Sequence, residues 1–363
     1  MKILIVGEFS GFARHLKIGF QRLGHDVIVV QSGDGWKMLA NEGDIICRNK
    51  SWHIGGVHIL GSNRIMAVYT NIKVRLQLRK KCSTPDMIIV INYTFLRKNI
   101  TEVGVSCRYI SSLLKKGTKL IMSECGNSCA QAYLHPDYYR MIGKKTPTKD
   151  RRYSFLLTNS KVIIPTTYYY YEQLKAYASH YSYDTSKLSN AIPLPISLQN
   201  DVKLTSCKNR KIVIFHGVIR PIDKGTPFIK EAMNRLQKEM PDRVECVCEG
   251  GIPYDEYVKL FDRVDILVDQ TYGNGWGMNA LIGAMKGKCV LAPCGLENSA
   301  NMGIPDIPFV QIGPDSELIY QTLRDLVLNP DKIDSIKVSS RNFVEKYCNS
   351  DIIARRYIDL VVK

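Results

Sequence analysis

The residues most clearly suited to a chemical function lie in HGVIRPIDKG, from His216 to Gly225. There a strand-like apolar run is followed by a helical pattern. Arg220 and Lys224 stand four residues apart across this turn, and Gly217 and Gly225 allow a ligand to approach the backbone closely. The start of a helix favours an anion, because its free N–H groups and its dipole point there. A guanidinium and an ammonium at such a place suit a diphosphate that is held while one P–O bond breaks. Taken alone, the pair also fits two solvated cations at a helix start.

A second strand–loop–helix junction lies in DQTYGNGWGMNALIGAMKGK, from Asp269 to Lys288. Its loop contains three closely spaced glycines, and its backbone amides are candidates to hold phosphate or sugar oxygens. The loop residues concerned are Gly275, Trp276, Gly277, Met278 and Asn279. Glycine-rich turns also occur for packing alone, but two phosphate-suited junctions in one half of the chain are a stronger signal.

Candidates for a general base come from the first half of the chain, in loops that follow predicted strands. Glu124 ends the run TKLIMSE, His135 lies in LHPDYY, and Glu8 precedes a loop with Ser10. A base must lie within hydrogen-bond reach of the hydroxyl that it activates. The alternative for Glu124 and His135 is that each binds backbone or water at the end of its strand.

Hydrophobic periodicity predicts alternating strands and helices in the first half. KILIVGEF (2–9) is followed by apolar residues at helical spacing up to Gly24, and then by the run DVIVV (26–30). Further strands are predicted at 44–47, 57–60, 86–91, 118–124, 161–166 and 191–196, and helices at 65–81 and 102–116. Such β-α-β units imply a parallel sheet with right-handed crossovers.

The alternation of predicted strands and helices begins again after segment 197–211. This segment is polar and has no hydrophobic periodicity, which is typical of a linker. Strands are predicted at 211–217, 243–250, 265–270 and 288–294, and helices at 226–240, 254–264, 277–287, 315–329 and 334–363. The predicted fold is α/β, with two Rossmann-like domains whose parallel sheets face each other across a cleft that holds the ligand. The predicted limits are 1–197, 198–345, and a C-terminal helix at 346–363 that packs back on the first domain.

The charge of the chain is asymmetric. The net charge is +16, and residues 1–200 contain 28 basic against 12 acidic residues, so the second half is neutral. The basic residues cluster at 64–81 and 144–152, near many tyrosines that include the run Tyr168 to Tyr171. A basic face with amphipathic rings suits an anionic membrane surface. Nucleic acid is disfavoured because no recognition motif accompanies the charge, and a solvated basic face remains the alternative.

Several classes of protein are excluded or disfavoured by composition. No apolar run approaches the roughly 18 residues of a spanning helix, and the strand-like start MKILIVGEF argues against a secretory signal. The 11 cysteines include no C-x-x-C pair and no spacing usual for zinc. We therefore expect reduced cysteines, no metal and a cytoplasmic protein, with the option of peripheral contact at the inner face of the membrane.

The motifs of the second half resemble those of GT-B fold glycosyltransferases, in particular the retaining family 4. That family carries a G-x-x-R-x-x-x-K-G element, which Gly217, Arg220, Lys224 and Gly225 match. Its later glycine-rich loop and following helix and strand are matched at Gly277, Gly287, Lys288 and Val290, and LGHDV (23–27) resembles a turn of its first domain. The resemblance covers about residues 210–295 well and 1–30 weakly.

The resemblance implies that Arg220 and Lys224 bind the pyrophosphate of a nucleotide-sugar, which is a substrate rather than a cofactor. It also implies that the loop after Glu249, with Gly250, Gly251 and Ile252, holds the nucleobase. Gly11 would let the first-domain loop approach the donor phosphates.

The chain departs from the family at both glutamates of its E-x7-E pair. Asn274 replaces the carboxylate that contacts the donor sugar, and Ile282 replaces the one that binds the ribose hydroxyls. Asn274 retains hydrogen-bonding capacity, whereas Ile282 has none. Either the nucleoside lacks the 2′-hydroxyl, as in a dTDP-sugar, or another residue holds the ribose.

The resemblance therefore implies a metal-independent, hexosyltransferase-type enzyme. It would move a sugar to a glycan or lipid-linked acceptor, in keeping with cell-surface polysaccharide synthesis. The alternatives are a GT-B epimerase or phosphorylase acting on a similar ligand, and a non-catalytic nucleotide-binding protein or partner subunit, which the missing glutamates favour.

Overall fold

The computed structural model describes residues 1–32, 44–48, 53–54, 57–58, 62–143, 145–199, 202–251 and 254–362. Within these residues two parallel sheets form, each between layers of helices. This confirms the predicted α/β class and the two Rossmann-like units. The predicted limits of the domains stay a proposal.

Ten strands are described in the first half of the chain, and six of them form the first sheet. These strands are β1 (Lys2–Val6), β2 (Asp26–Gln31), β3 (Ile45–Ile46), β4 (His53–Ile54), β5 (Val57–His58), β6 (Met87–Val90), β7 (Leu96–Arg97), β8 (Val105–Ser106), β9 (Lys119–Glu124) and β10 (Val162–Pro165). The order across the sheet is β10-β9-β6-β1-β2-β3, all parallel, while β4–β5 and β7–β8 form separate pairs. Along β1, Ile3 and Ile5 join one core cluster and Leu4 and Val6 another, so both faces of the sheet are covered.

The second sheet has the same design. Its strands are β11 (Ile212–Gly217), β12 (Val244–Glu249), β13 (Ile266–Val268), β14 (Cys289–Ala292) and β15 (Val310–Gln311). They lie in the order β12-β11-β13-β14-β15 and are all parallel. The carboxyl ends of both sheets therefore carry the loops in which the sequence places its candidate residues.

Helices connect the strands in both units. In the first half they are α1 (Phe12–Arg22), α2 (Ser62–Lys81), α3 (Cys107–Leu114), α4 (Cys129–Leu134), α5 (Pro136–Met141), α6 (Arg151–Asn159) and α7 (Tyr168–His180). In the second half they are α8 (Pro221–Lys224), α9 (Thr226–Glu239), α10 (Tyr254–Arg263), α11 (Met278–Met285), α12 (Leu296–Met302), α13 (Ser316–Leu328), α14 (Pro330–Phe343) and α15 (Ser350–Val362).

Three sequence predictions of elements are corrected. The helix predicted at 102–116 begins only at Cys107, because the Ser106 hydroxyl accepts the N–H of Tyr109 and caps the helix there. The segment 191–196 joins no sheet, since its two prolines lack N–H groups, and only Ile196 forms a bridge, to Asn349. At this bridge the helix predicted at 334–363 breaks into α14 and α15 around a π-helical turn, Val344–Cys348.

The last helix packs on the first domain. A β-carbon added to Gly19 in α1 would lie 2.1 Å from the carbonyl oxygen of Ser350, so only glycine permits this approach. The hydroxyls of Ser123 and Tyr357 lie 2.7 Å apart, and Lys161 Nζ donates to the Val361 carbonyl at 2.6 Å. The C-terminal helix thus covers one side of the first sheet.

Candidate functional site

The two units meet where their strands end. A β-carbon added to Gly11, in the loop after β1, would lie 4.0 Å from Met278 Cε at the start of α11. A second contact joins the two units at Gly275, in the glycine-rich loop. A β-carbon there would lie 2.8 Å from Cγ2 of Thr167, which follows β10 of the first domain. The glycine-rich loop of the second domain and the start of α11 therefore face the first domain.

The centre of this region is a buried ion pair. Lys224 Nζ donates to Asp269 Oδ1 at 2.7 Å and to the Asp269 carbonyl at 3.2 Å, and the two side chains are 9% and 1% exposed. Asn279 Nδ2 donates to the same Oδ1 at 3.1 Å. Three residues from the two junctions are thus joined in one polar cluster, which we call the Lys224 cluster.

Local backbone geometry brings the two junctions together. Gly225 ends α8 with φ +69°, and a β-carbon there would lie 1.9 Å from Thr271 Oγ1. The Thr271 N–H donates to the Lys224 carbonyl at 3.1 Å. A side chain at position 225 would therefore push apart the two loops that build the Lys224 cluster.

Electrostatics keep the carboxylate of this cluster charged. Burial would raise the pKa of Asp269, but the Lys224 ammonium and the bonds from Lys224 and Asn279 hold that pKa below its usual range. Asp269 Oδ2 is buried and accepts no hydrogen bond from any described residue. It lies 3.8 Å from the place a β-carbon on Gly277 would occupy, so a hydroxyl donor at this loop would satisfy it.

Arg220 lies in a different environment from Lys224. Its side chain is 60% exposed, and its Nη1 lies 3.5 Å from Asp223 Oδ2. Burial raises the pKa of Tyr138 in the first domain, and the nearby Arg220 charge opposes that rise. The guanidinium is therefore placed at the rim between the two domains, free to move towards an anion.

His216, within the first motif, is a structural residue in this arrangement. Its Nδ1–H donates to the Val268 carbonyl and its Nε2 accepts from the Thr226 hydroxyl, both at 2.8 Å. Burial lowers the pKa of His216 to about 4, so the ring is neutral at pH 7. It ties β11 to β13 and to the start of α9.

The glycine-rich loop divides into packing and accessible parts. Trp276 is buried against Phe309 and Phe343, so any ligand contact at this residue is left to its backbone. Asn274 Oδ1 accepts from the Gly295 N–H and from Asn298 Nδ2, both at 2.8 Å. The amide predicted to meet the sugar is thus engaged with the α12 end of the loop in this conformation.

The helix that follows this loop begins beside the first domain. Gly277 is the N-cap residue of α11 and provides no side-chain cap. Met278 is buried beside the first-domain loop, and Ile282 is partly buried against two core clusters. The positive end of the α11 dipole therefore lies where the two units meet.

The predicted nucleobase loop follows β12. Glu249, Gly250 and Gly251 are exposed, and the Val218 N–H donates to the Glu249 carbonyl at 2.9 Å. A β-carbon on Gly250 would lie 2.1 Å from the Val218 carbonyl oxygen, so this backbone packs against the strand end that precedes Arg220. Ile252 lies outside the described residues.

The loop between β1 and α1 contains a buried carboxylate, that of Glu8. The Glu8 carboxylate accepts the N–H groups of Gly11 at 2.9 Å and of Arg14 at 3.0 Å, at the start of α1. Glu8 is fully buried. Since this carboxylate occupies the N-terminus of α1, the start of α11 is the better place for a bound phosphate.

Glu124 is buried rather than presented to the cleft. Its carboxylate accepts from the Gly126 N–H at 3.1 Å and from the Tyr153 hydroxyl at 3.2 Å. It is 3% exposed, and burial raises its pKa from 4.5 to about 7 in spite of these hydrogen bonds. This matches the capping alternative, and contact with an acceptor would require a local opening.

We expect Glu124 to make stability fall as pH rises. The pKa of Glu124 is about 7 in the folded chain, and its ordinary value, which applies to the unfolded chain, is 4.5. Between pH 4.5 and 7 the folded state therefore keeps Glu124 protonated while the unfolded state releases that proton. The free energy of unfolding then decreases by roughly 3 kcal/mol across this interval. Urea unfolding from pH 5 to 8 should show a smaller decline for Glu124→Gln than for the wild type. Parallel curves for the two proteins would contradict the raised pKa.

His135 stands closer to the cleft. It is half-buried, and its ring stacks on Tyr169 with centroids 5.6 Å apart. Tyr169 in turn faces Gly273, where a β-carbon would lie 3.5 Å from its ring. Burial lowers the pKa of His135, which therefore favours the neutral form that a base requires.

Sequence reasoning missed two residues of this region. Asp269 directly follows β13 and precedes the glycine-rich loop, and that position was its only signal. His15 Nδ1 accepts the Ser197 N–H at 3.1 Å, which leaves the ring proton on Nε2, beside Gly11. Burial lowers the pKa of His15 to about 4. His15 lies one turn into α1 and belongs to no recognisable sequence motif, so the sequence did not indicate it.

Comparisons with known proteins identify the architecture. Neither protein-family models nor curated protein sequences match this chain. Among solved structures, Anabaena Alr3699/HepE in complex with UDP is 10% identical, with 100% of both chains covered and a TM-score of 0.61. A glycosyltransferase from Rickettsia africae ESF-5 is 15% identical over 99% of this chain and 97% of its own, with a TM-score of 0.54.

WaaG, a glycosyltransferase involved in lipopolysaccharide biosynthesis, is 14% identical over 98% of each chain, with a TM-score of 0.57. At these identities the likeness is one of fold. Two parallel Rossmann-like sheets that meet at their strand ends, and a near-complete overlap with these structures, show that this chain has the GT-B fold found in glycosyltransferases.

Proposed function

We propose that the chain transfers a sugar from a nucleoside-diphosphate donor to a glycan or lipid-linked acceptor. The observation that carries this proposal is the Lys224 cluster at the uncapped start of α11. The two loops bring together a buried cation, the positive end of a helix dipole and an unsatisfied carboxylate oxygen, Asp269 Oδ2. HepE, which has the same fold, was solved with UDP and with UDP-glucose, and this supports a nucleotide-sugar as the ligand.

In this proposal each group of the cluster has a separate task. The diphosphate lies at the start of α11, where Lys224 has one N–H left after its two bonds to Asp269. Arg220 swings from the rim to the outer phosphate, and the two cations stabilise the charge that develops on the leaving group. Asp269 Oδ2 accepts a sugar hydroxyl, the role that the replaced glutamate at position 274 would otherwise have.

The acceptor approaches from the first domain. Tyr138 and Tyr272 face each other across the domain boundary with ring centroids 6.0 Å apart, and His135 and Tyr169 lie on the same side as Tyr138. His135 is the proposed base, with Glu124 as the alternative. We further propose that the reaction takes place at the inner face of the membrane, in cell-surface polysaccharide synthesis. The basic first half and the likeness of fold to WaaG support this.

Donor binding and turnover test the proposal. With Ile282 at the ribose position, we expect calorimetry to show dTDP binding tighter than UDP by roughly fivefold or more, since an unpaired buried hydroxyl costs about 1–3 kcal/mol. Slow hydrolysis of the matching nucleotide-sugars should then identify the donor. Clearly tighter UDP binding would contradict the ribose argument. Donor binding without any turnover would favour the non-catalytic alternative, and binding of neither nucleotide would remove the donor site.

A further inference from the structure

Helix α2 is apolar on two opposite faces. One face packs on the first domain through Ala67, Asn71, Val74 and Leu78. The other, which we call the outward stripe, consists of Ile65, Tyr69, Ile72 and Leu76, with 70, 60, 55 and 59% of each residue exposed. Large apolar side chains arranged in this way are unusual on a surface that contacts only water.

The outward stripe is a continuous row. Its members are spaced by four, three and four residues, and each is two positions from a member of the buried face. At about 100° per residue, two positions place a side chain on nearly the opposite side of a helix. The row extends for about 16 Å along the helix.

Cations flank the outward stripe on both sides. Arg75 and Arg79 lie along one edge, and Lys73 and Lys80 along the other, by the same angular argument. All four are exposed, and none forms an ion pair with any residue in the part of the chain that the structure describes. The sequence of α2 contains no acidic residue, so every charge on the helix is positive.

A neighbouring loop is attached to α2 through the buried face of the helix. Asn71 Nδ2 donates to the carbonyls of Ile100 at 3.0 Å and Glu102 at 2.9 Å, which fixes the loop beside α2. Ile100 is 58% exposed, and Lys98 before it is exposed as well.

We propose that the outward stripe and its flanking cations dock the first domain on an anionic lipid bilayer. The helix lies in the plane of the interface, with the stripe at the acyl boundary and the cations among the headgroups. None of the described helices is both long and apolar enough to cross a membrane, and α2 needs only to lie on one. This names the docking surface for the membrane placement proposed above and rests on that part of the proposed function.

Vesicle flotation of the full chain tests the proposal. We expect binding to vesicles of phosphatidylglycerol and phosphatidylcholine, and little binding to phosphatidylcholine alone. Ile72→Glu with Leu76→Glu should reduce partitioning by roughly a hundredfold or more, and Lys73→Gln and Lys80→Gln by roughly fivefold each at low salt. The matched control is Leu318→Glu, which places the same charge on an exposed leucine of α13 and should leave binding unchanged.

A second readout does not depend on disruptive variants. Tyr69→Trp should show a blue shift of its emission when anionic vesicles are added, and no shift with phosphatidylcholine vesicles. Wild-type binding by the double glutamate variant would overturn the proposal. So would a dimer in sedimentation velocity that the double variant dissociates while vesicle binding persists, because the stripe would then face a second copy. Calorimetry with nucleoside diphosphates reports on the donor site separately, so failure of docking and failure of the sugar-transfer proposal are distinguishable.

Discussion

Replacing Lys224 by methionine is expected to remove most turnover and to weaken the fold at the same time. Lys224 neutralises Asp269, whose side chain is 1% exposed. Breaking a buried pair by removing one partner costs about 3–5 kcal/mol. Loss of a cation at the leaving phosphates costs a further factor of about 10²–10³ in kcat. Urea unfolding measures the first effect, and rates normalised to folded protein measure the second.

Two further variants separate these effects. Adding Asp269→Asn to Lys224→Met removes the stranded charge, so stability should largely return while turnover stays low. Lys337→Met is the matched control, because Lys337 forms a buried pair with Asp265 at the opposite end of β13. It should lower stability, moderated by the remaining Arg210 partner of Asp265, without lowering the rate per folded molecule. Equal loss of rate in both lysine variants would contradict a phosphate role for Lys224.

Arg220→Ala is expected to lower the rate by about 10²–10³ with almost no change in stability. The side chain is 60% exposed and its contact with Asp223 is 3.5 Å long, so little native-state energy depends on it. Its effect should appear in kcat more than in donor affinity, since the proposed contact strengthens as negative charge develops on the leaving group. Initial rates over a range of donor concentrations, with calorimetry of the nucleoside diphosphate, provide the measurement.

Arg243→Ala is the control for this variant. Arg243 is an exposed arginine of the same domain that precedes β12, at the edge of the sheet away from the cleft. Its loss removes the same charge from the molecule without touching the site. If Arg220→Ala retained wild-type kcat, Arg220 would have no part in transition-state stabilisation.

The fold could be predicted because its strands are buried on both faces. Runs such as ILIV in β1 and IVIF in β11 are apolar without alternation, which is typical of parallel sheets and needs no tertiary information. The break between α14 and α15 could not be predicted in the same way. It depends on a pairing of Ile196 with Asn349, which lie far apart in the sequence.

The site was partly predictable for a similar reason. Motif spacing located Arg220, Lys224 and the glycine-rich loop, because each belongs to a short continuous segment. Which groups contact one another depends on packing between segments. The pairing of Lys224 with Asp269 spans 45 residues, and the engagement of Asn274 with Asn298 spans 24. Neither partner could be recognised before the two junctions were seen to lie together.

The position of a carboxylate at the end of a strand does not by itself determine its exposure. Glu124 ends β9 in the sequence, which predicts a side chain at the cleft edge of the sheet. In the structure Tyr153 and the Gly126 N–H turn its carboxylate inward. A strand end locates a residue at the correct edge, but the layer of side chains above it decides whether solvent reaches it.

The packing of α15 on the first sheet has a consequence for how the chain folds while it is translated. The hydroxyl of Tyr357 and the backbone of Val361 bind residues of β9 and the start of β10, although more than 190 residues separate these partners. During translation one face of the first sheet therefore stays open until α15 has left the ribosome. The apolar surface around Phe20 is exposed during that interval, because Tyr357 of α15 packs on its ring.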